Sequence, residues 1–600
     1  MKNQDHSLRS IVHLIGLLFF SSLSYLAYVY YKERILSFDP AYLSFLMIET
    51  KTYAIACGRW GAVFSQFLPL MFLKAHCSLE TFLRCYSVSF ILVYYAVFLI
   101  ITMVFRNYKA ALALMLALCL GFRWVFYYPS AELYFGIALT ALFWAVIAPV
   151  NPYSSKAKQW VATCFAIVLI YTESYCQQLT LFILLFVIMF EMIANYRWKD
   201  VHLWIVFAFC CSWYFIRMKF LSNSSYEIAR MDQQDDMLFY LPDFFSLKSW
   251  FYLKSFFLSS LKSLSITFIV CLFILIRRKQ WLLLLYVLSF FVGVFSFIVL
   301  IHAMGVDELF MQSYSTLLGF MVAIIILFLI YDRFPKGLVL LVVSVLLVIN
   351  VRGIEKAHLI QTERLRYVAR LTDYAHKMNA RKCVISTRNI PHDIAFFSQF
   401  LAFETLLYSS IPSQDNAVTI FPVDDYANVD SLLNRKNIFI GTPWDPTAYT
   451  SNNIKWDFYK LPSTGYLKLN TPQSDSSFNE SLFNDKNIFI SPLNEEIHSG
   501  VYNFVVAPIR IINTSGKVLS STLNSLHPVY LSYHVYDRSG NLLSWDNANT
   551  TLEVDIDKDY TQGLFIYLPK KNGTYIIEVD FKTEGIRWWN TKTRLRLIKD

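Results

Sequence analysis

Between residues 11 and 351 the chain is a succession of apolar blocks, each close to the length a helix needs to cross a hydrocarbon layer of roughly 30 Å. No feature restricts the fold more, because in lipid every backbone polar group has to be satisfied within the segment, and consecutive helices do that. Eleven spans are expected, near residues 11–30, 86–105, 110–127, 133–150, 160–173, 178–195, 201–216, 261–276, 281–301, 313–331 and 337–351. The first is read as an uncleaved span, since no small-residue cleavage site follows it. The formal charge of +10 lies largely in short connectors: Arg106 to Lys109, Lys156 to Lys158, Arg197 to Lys199, Arg277 to Lys279 and Arg333 to Lys336. With a cytoplasmic amino terminus and eleven spans, all five fall on the cytoplasmic side, as the positive-inside rule requires. This pattern argues for an oriented membrane protein and against a nucleic-acid partner. The odd span number places everything after about residue 352 outside.

That topology gathers polar clusters on the outer face. Arg123 and Glu132 flank a helix-breaking Pro129 between the third and fourth spans; Glu173 and Gln177 lie one helical turn apart; His302, Asp307 and Glu308 precede the tenth span. A longer outer loop, from about residue 217 to 257, ends in aromatic and leucine-rich sequence with interspersed lysines, the composition of a helix lying along a membrane surface. The first outer loop carries Asp39, Glu49, Lys51 and Arg59 among apolar residues. It reads as two short interfacial helices joined near Lys51 to Arg59, with Asp39 at the exit of the first span. Asp39 precedes Pro40 and has two readings: a helix cap, or a general base at the water–lipid boundary. Arg59 and Lys51 read either as snorkelling anchors or as the fixed positive charge a lipid phosphate needs.

A cytoplasmic amino terminus, an acidic residue just after the first span, two interfacial helices and a soluble carboxy-terminal domain outside together resemble the C-type superfamily (GT-C) of integral-membrane glycosyltransferases. The resemblance covers residues 1 to 352 and rests on span layout and on FDPAYLSF. It implies a transmembrane enzyme that takes a sugar from a polyprenyl-phosphate carrier and passes it to a glycan, lipid or protein acceptor, with inversion. It also implies a bacterial plasma membrane location with the tail in the periplasm. Asp39 matches the family's base, although it stands alone and Glu49 follows ten positions later, so both remain candidates. Lys51, Arg59, Arg123 and His302 are candidates for the donor phosphate, with Gln312 near His302. Glu132, Glu173, Gln177, Asp307 and Glu308 are candidates for the cavity wall. No cofactor is expected; a divalent metal held by Asp39, Glu132, Asp307 and Glu308 is the less favoured alternative. Two other classes compete. A transporter or flippase of lipid-linked saccharides calls for inverted repeats or mid-span charges, which the sequence lacks. An envelope scaffold would make the polar clusters incidental.

Ten cysteines form no disulfide framework: the tail holds only Cys383, and Cys57 and Cys77 are the one candidate pair in the outer loop. Residues 353–499 read as a mixed α/β region, with strands at CVISTR and AVTIFPV and a helix in DIAFFSQFLAFETLLYSS. SLLNRKNIFI at 431 and SLFNDKNIFI at 481 raise the possibility of a two-copy helix–strand unit. Residues 500–600 read as a β-sandwich of short alternating strands with turns at Ser539–Gly540 and Asn572–Gly573. It resembles carbohydrate-associated sandwich modules, through INTSG, SYHVYDRSGN and the stretch ending in Trp588 and Trp589, of which at least one should be core.

Overall fold

The structure is a computed structural model. It describes residues 2–129, 132–148, 155–221, 237–303, 308–387, 390–391, 395–424, 430–441, 447–450, 458–469, 487–499, 504–516, 518–519, 521, 529–545, 547–569, 571–583 and 587–599. Two compact units divide the chain: Met1–Arg34 with Lys51–Cys77 and Thr81–Ala357, and Ile35–Thr50 with Ser78–Glu80 and His358–Asp600.

The first unit is a helical membrane bundle. Six stretches among the described residues are long and apolar enough to cross a membrane: Leu8–Val29, Leu79–Val104, Val201–Leu221, Trp281–Ile301, Glu308–Ile330 and one within Lys336–Lys377. A seventh arises if the bent pair Lys248–Ser259 and Lys262–Arg277 is counted as one. The expectation of eleven is therefore corrected. Tyr108–Gly121, Leu133–Ile147 and Thr180–Ala194 have only 14, 15 and 15 residues, about 21–23 Å at 1.5 Å per residue. Every residue of Leu133–Ile147 is buried, so it is apolar because protein surrounds it, a state that hydropathy does not distinguish from a lipid-facing span. Lys156–Ser174 is longer but polar at both ends.

Close packing inside the bundle rests on small residues. A Cβ at Gly121, the last residue of its helix, would stand 2.8 Å from the Thr316 Cα, and one at Gly319 would stand 3.1 Å from the Gly121 nitrogen. The Tyr108–Gly121 and Glu308–Ile330 helices thus meet almost backbone to backbone, the geometry that small residues permit between membrane helices. The chain then turns through the 3-10 segment Trp124–Tyr127, ahead of Pro129, as the helix-breaking reading expects. No disulfide joins Cys57 to Cys77 among the described residues.

The second unit contains a parallel sheet and a β-rich region. Strands β1 (Lys382–Ser386), β2 (Thr419–Val423) and β5 (Leu467–Lys468) form a parallel sheet in the order β2-β1-β5, with the Leu401–Ser410 helix crossing between β1 and β2. Strands β3 (Ile438–Gly441) and β4 (Thr447–Thr450) pair separately. The β-rich region has two sheets. One is ordered β12 (Asp559–Tyr567), β8 (Phe504–Asn513), β6 (Ile488–Pro492). The other runs β10 (Leu542–Ser544), β9 (Val529–Asp537), β13 (Gly573–Thr583), β15 (Thr593–Lys599), β7 (Glu496–His498), with short β11 (Thr550–Thr551) and β14 (Arg587–Trp588) on β9 and β13. Alternation decides the faces: Leu531, Tyr533, Ile577, Val579 and Phe581 from one sheet share a core with Ala507, Ile509, Ile511 and Leu564 from the other. The Leu359–Lys377 helix adds Tyr367, Val368 and Leu371 to that core, and Arg370 Nε donates to Glu553 Oε2 at 3.0 Å.

The two NIFI segments do not form equivalent units. The first gives β3, paired with β4; the second gives β6, which joins β8 in the other sheet, while residues 481–486 lie outside the described residues.

Candidate functional site

The first loop is divided between the two units. Its Phe38–Thr50 helix is a core element of the second: Phe45 lies 5.1 Å from the rings of Phe403, Phe439 and Tyr449, and eight of its residues are buried. The expectation that this helix lies in the membrane interface is corrected on that ground, since its apolar residues cover protein. At its start the Phe38 N–H donates to Glu404 Oε1 at 2.8 Å, and Arg364 holds the same carboxylate through Nε and Nη2 at 3.0 and 2.8 Å while its guanidinium lies 4.2 Å from the Phe38 ring. Both partners are fully buried. Such a pair adds little net stability, but losing one member leaves the other charge buried at a cost of about 3–5 kcal/mol.

Asp39 is half-buried in the first turn of this helix, two residues inside the capping position, which Ser37 occupies. Glu49 is half-buried in the last turn and faces Tyr459; burial, with the Glu49 charge second, pushes the Tyr459 phenol well above its usual range.

The other half of the loop belongs to the first unit and builds a pocket. Lys51 adopts a left-handed backbone, φ 53°, and is half-buried. Arg59 precedes the 3-10 turn Trp60–Ala62, which leads into the Val63–Lys74 helix. Gly61 N–H donates to Tyr175 O at 3.3 Å, and a Cβ at Gly61 would stand 2.7 Å from Cys176 Sγ, so only glycine lets the loop approach this closely. The result is an open pocket of about 340 Å³ lined by Trp60, Gly61, Phe64, Tyr171, Thr172 and Tyr175. Two cations neighbour its lining residues, Arg59 next to Trp60 in the chain and Arg217 over Tyr175. Arg59 Nη1 is 3.4 Å from Glu132 Oε2, and the Arg217 guanidinium lies 4.6 Å from the centre of the Tyr175 ring. Aromatic faces beside guanidinium groups suit a ligand with an apolar chain and an anionic head.

Behind this wall Glu173 is fully buried and hydrogen-bonded to Thr140, whose hydroxyl also lies 3.0 Å from Gly136 O. Gln177 accepts the Gln178 N–H at 2.9 Å.

The remaining sequence candidates stand apart from the pocket's lining. Arg123 is committed to protein acceptors: Ser260 O at 2.9 Å, Phe122 O at 2.6 Å, Cys119 O and Ser263 Oγ at 3.3 Å, and Asn350 Oδ1. It braces three helical segments. His302 is buried at the end of Trp281–Ile301 with its ring 5.8 Å from Tyr314. Gln312 donates to Tyr252 Oη at 2.9 Å. Glu308 begins its helix in an exposed position, and Asp307 lies outside the described residues. Among the described residues no group of three His, Cys, Asp or Glu side chains is arranged to hold a metal. Of the tryptophan pair, Trp589 is core and donates to Thr583 Oγ1, whereas Trp588 is half-buried beside His534 and Trp545.

Sequence reading did not single out Trp60, Tyr171, Tyr175 or Arg217. The signal was indirect: Trp60 directly follows the candidate Arg59 in GRW, and Tyr175 stands two residues after the candidate Glu173 in TESY.

Fold and site together define a multi-pass helical membrane protein with a carboxy-terminal β-rich region. No protein-family profile, no curated protein and no solved structure matches the chain.

Proposed function

We propose that the chain is a membrane glycosyltransferase that moves a sugar from a polyprenyl-phosphate carrier to a glycan, lipid or protein acceptor. The observation that carries this reading is the pocket beside Trp60, with Arg59 and Arg217 next to its lining residues. Its rings suit an isoprenoid chain, and the guanidinium groups suit the phosphate, which arginine binds through two parallel donors. In the reaction the acceptor hydroxyl oxygen attacks the anomeric carbon and its proton passes to a carboxylate base. Asp39 is the candidate from the family resemblance and Glu49 the alternative. The bond from the anomeric carbon to the phosphate oxygen breaks, its electron pair stays with the leaving polyprenyl monophosphate, and the configuration inverts. Cations neutralise the leaving group without a metal in this scheme. The proposed setting is a bacterial plasma membrane with the β-rich region in the periplasm.

The test is release of free polyprenyl phosphate from a labelled polyprenyl-phosphate sugar by the reconstituted protein. Arg59→Ala should depress donor use by about 100-fold or more, the scale of a lost charged contact in the transition state, and Arg59→Lys should recover part of it. Equal turnover by wild type and both variants would assign Arg59 to its ion pair with Glu132 alone. No release by the wild type with any polyprenyl-phosphate sugar would remove the enzyme reading.

A further inference from the structure

We propose that the segment from Met237 to Ser259 lies along the membrane surface as a cationic amphipathic strap whose partner is a layer of anionic phospholipid headgroups. This reading does not depend on the proposed enzymatic activity. The Lys248–Ser259 helix and the Lys262–Arg277 helix that follows are bent by 85° at a short break. The second buries Leu264, Thr267, Cys271 and Leu275 and exposes Ile266, Ile269, Phe273 and Ile276, a helical stripe of lipid-facing character bounded by Lys262 and Arg277. A helix carrying that stripe runs through hydrocarbon. Its neighbour, at a right angle to it, therefore runs parallel to the membrane plane at the Lys262 end.

The corner is built and braced. Leu261 N–H donates to Phe256 O at 3.0 Å, Ser265 Oγ to Phe257 O at 2.9 Å, and Arg123 Nε to Ser260 O at 2.9 Å. Ser263 Oγ bonds Asn350 Oδ1 at 2.6 Å, the same oxygen that Arg123 holds. The strap's inner face is held as firmly: Ser249 Oγ donates to Val299 O at 2.8 Å, Leu253, Phe256 and Phe257 are buried, and Trp250 meets Phe295 at 5.7 Å.

The outer face has the opposite character. Phe251 and Leu258 are 58% and 62% exposed, and Phe239 and Phe245 upstream are 84% and 70% exposed. Lys248, Lys254 and Lys262 are exposed among them. Large rings left in water on a braced element are unfavourable. At the headgroup boundary the rings reach acyl chain while the lysines extend toward phosphate, and one placement satisfies both.

Nitroxide-bearing amino acids placed one at a time at Phe251, Leu258 and Ile269 of the full chain, in nanodiscs of phosphatidylcholine and phosphatidylglycerol, test this by collision with oxygen and with a water-soluble nickel chelate. Phe251 and Leu258 should be oxygen-accessible at one shallow depth and Ile269 deeper. Nickel access at Phe251 and Leu258, or depths equal to that of Ile269, would overturn the proposal. In a second measurement, Lys248→Gln and Lys254→Gln should each lower phosphatidylglycerol retention on the purified protein, by about fivefold per lysine near an anionic surface. Retention equal to wild type in both would overturn the assignment to anionic headgroups.

Discussion

Asp39 and Glu49 separate the proposed chemistry from the fold. Asp39 lies in the first turn of its helix while Glu404 bonds the Phe38 N–H, so the helix start does not hang on the Asp39 charge. Asp39→Asn should leave a folded, membrane-inserted protein, and as the base its loss should reduce transfer by about 100-fold or more. If Glu49→Gln abolishes transfer and Asp39→Asn does not, the base lies ten residues on; if both remain active, the first loop supplies no base. Lys382 tests electrostatics away from the membrane. It starts β1, fully enclosed, donating to Thr464 O at 2.7 Å, and burial pulls its ammonium from 10.5 down to about 8. The unfolded chain then binds more protons than the folded one between pH 8 and 10.5. Stability of the second unit should therefore rise with pH across that window. Melting curves of the full chain at stepped pH would show the rise, and Lys382→Met should flatten it.

At the scale of elements, apolar residues play two parts that look alike in the sequence. The Phe38–Thr50 and Leu133–Ile147 helices spend theirs on protein contacts, whereas Val63–Lys74 leaves Phe64, Phe67 and Met71 exposed. Gly121 shows what the protein-facing kind demands. Adding one methyl places a Cβ 2.8 Å from the Thr316 backbone, which has no flexible tip to move aside. Gly121→Ala should force the Tyr108–Gly121 and Glu308–Ile330 helices apart and cost about 1–3 kcal/mol, the range for overpacking, read as a lower melting temperature in detergent. An unchanged melting temperature would mean that the crossing yields without strain. The β elements were more legible: strands at VVAPIRIINTSG, YLSYHVYDRSGNLL, GLFIYLP, GTYIIEVDF and TRLRLI all form, because alternation, or in GLFIYLP a short apolar run, between turn residues leaves few options other than a strand.

For the whole molecule, orientation turns on one crossing. With a cytoplasmic amino terminus, six spans return the tail to the cytoplasm and seven carry it out, the difference being the bent pair at Lys248–Arg277. The periplasmic setting proposed here requires seven. A reporter fused after Lys599 should then be active only outside the cytoplasm, and cytoplasmic activity would reverse the orientation. The sequence by itself determined that the chain is helical and membrane-bound in its first part and β-rich at its end, since block length and the two-residue period are local properties of the chain. It also marked Arg59 and Glu132 as polar residues of interest, but not that they meet. Tertiary structure alone decided which apolar helices are too short and too enclosed to span, that identical NIFI segments enter different sheets, and that Arg123 braces a helix corner. It likewise placed Asp39 and Glu49 in a helix packed on Phe403 and Phe439, and set Trp60 beside Tyr171 and Tyr175. The physical reason is common to all of these. Hydrophobicity records that a side chain leaves water, while the choice between lipid and protein as its new surroundings depends on residues tens or hundreds of positions away.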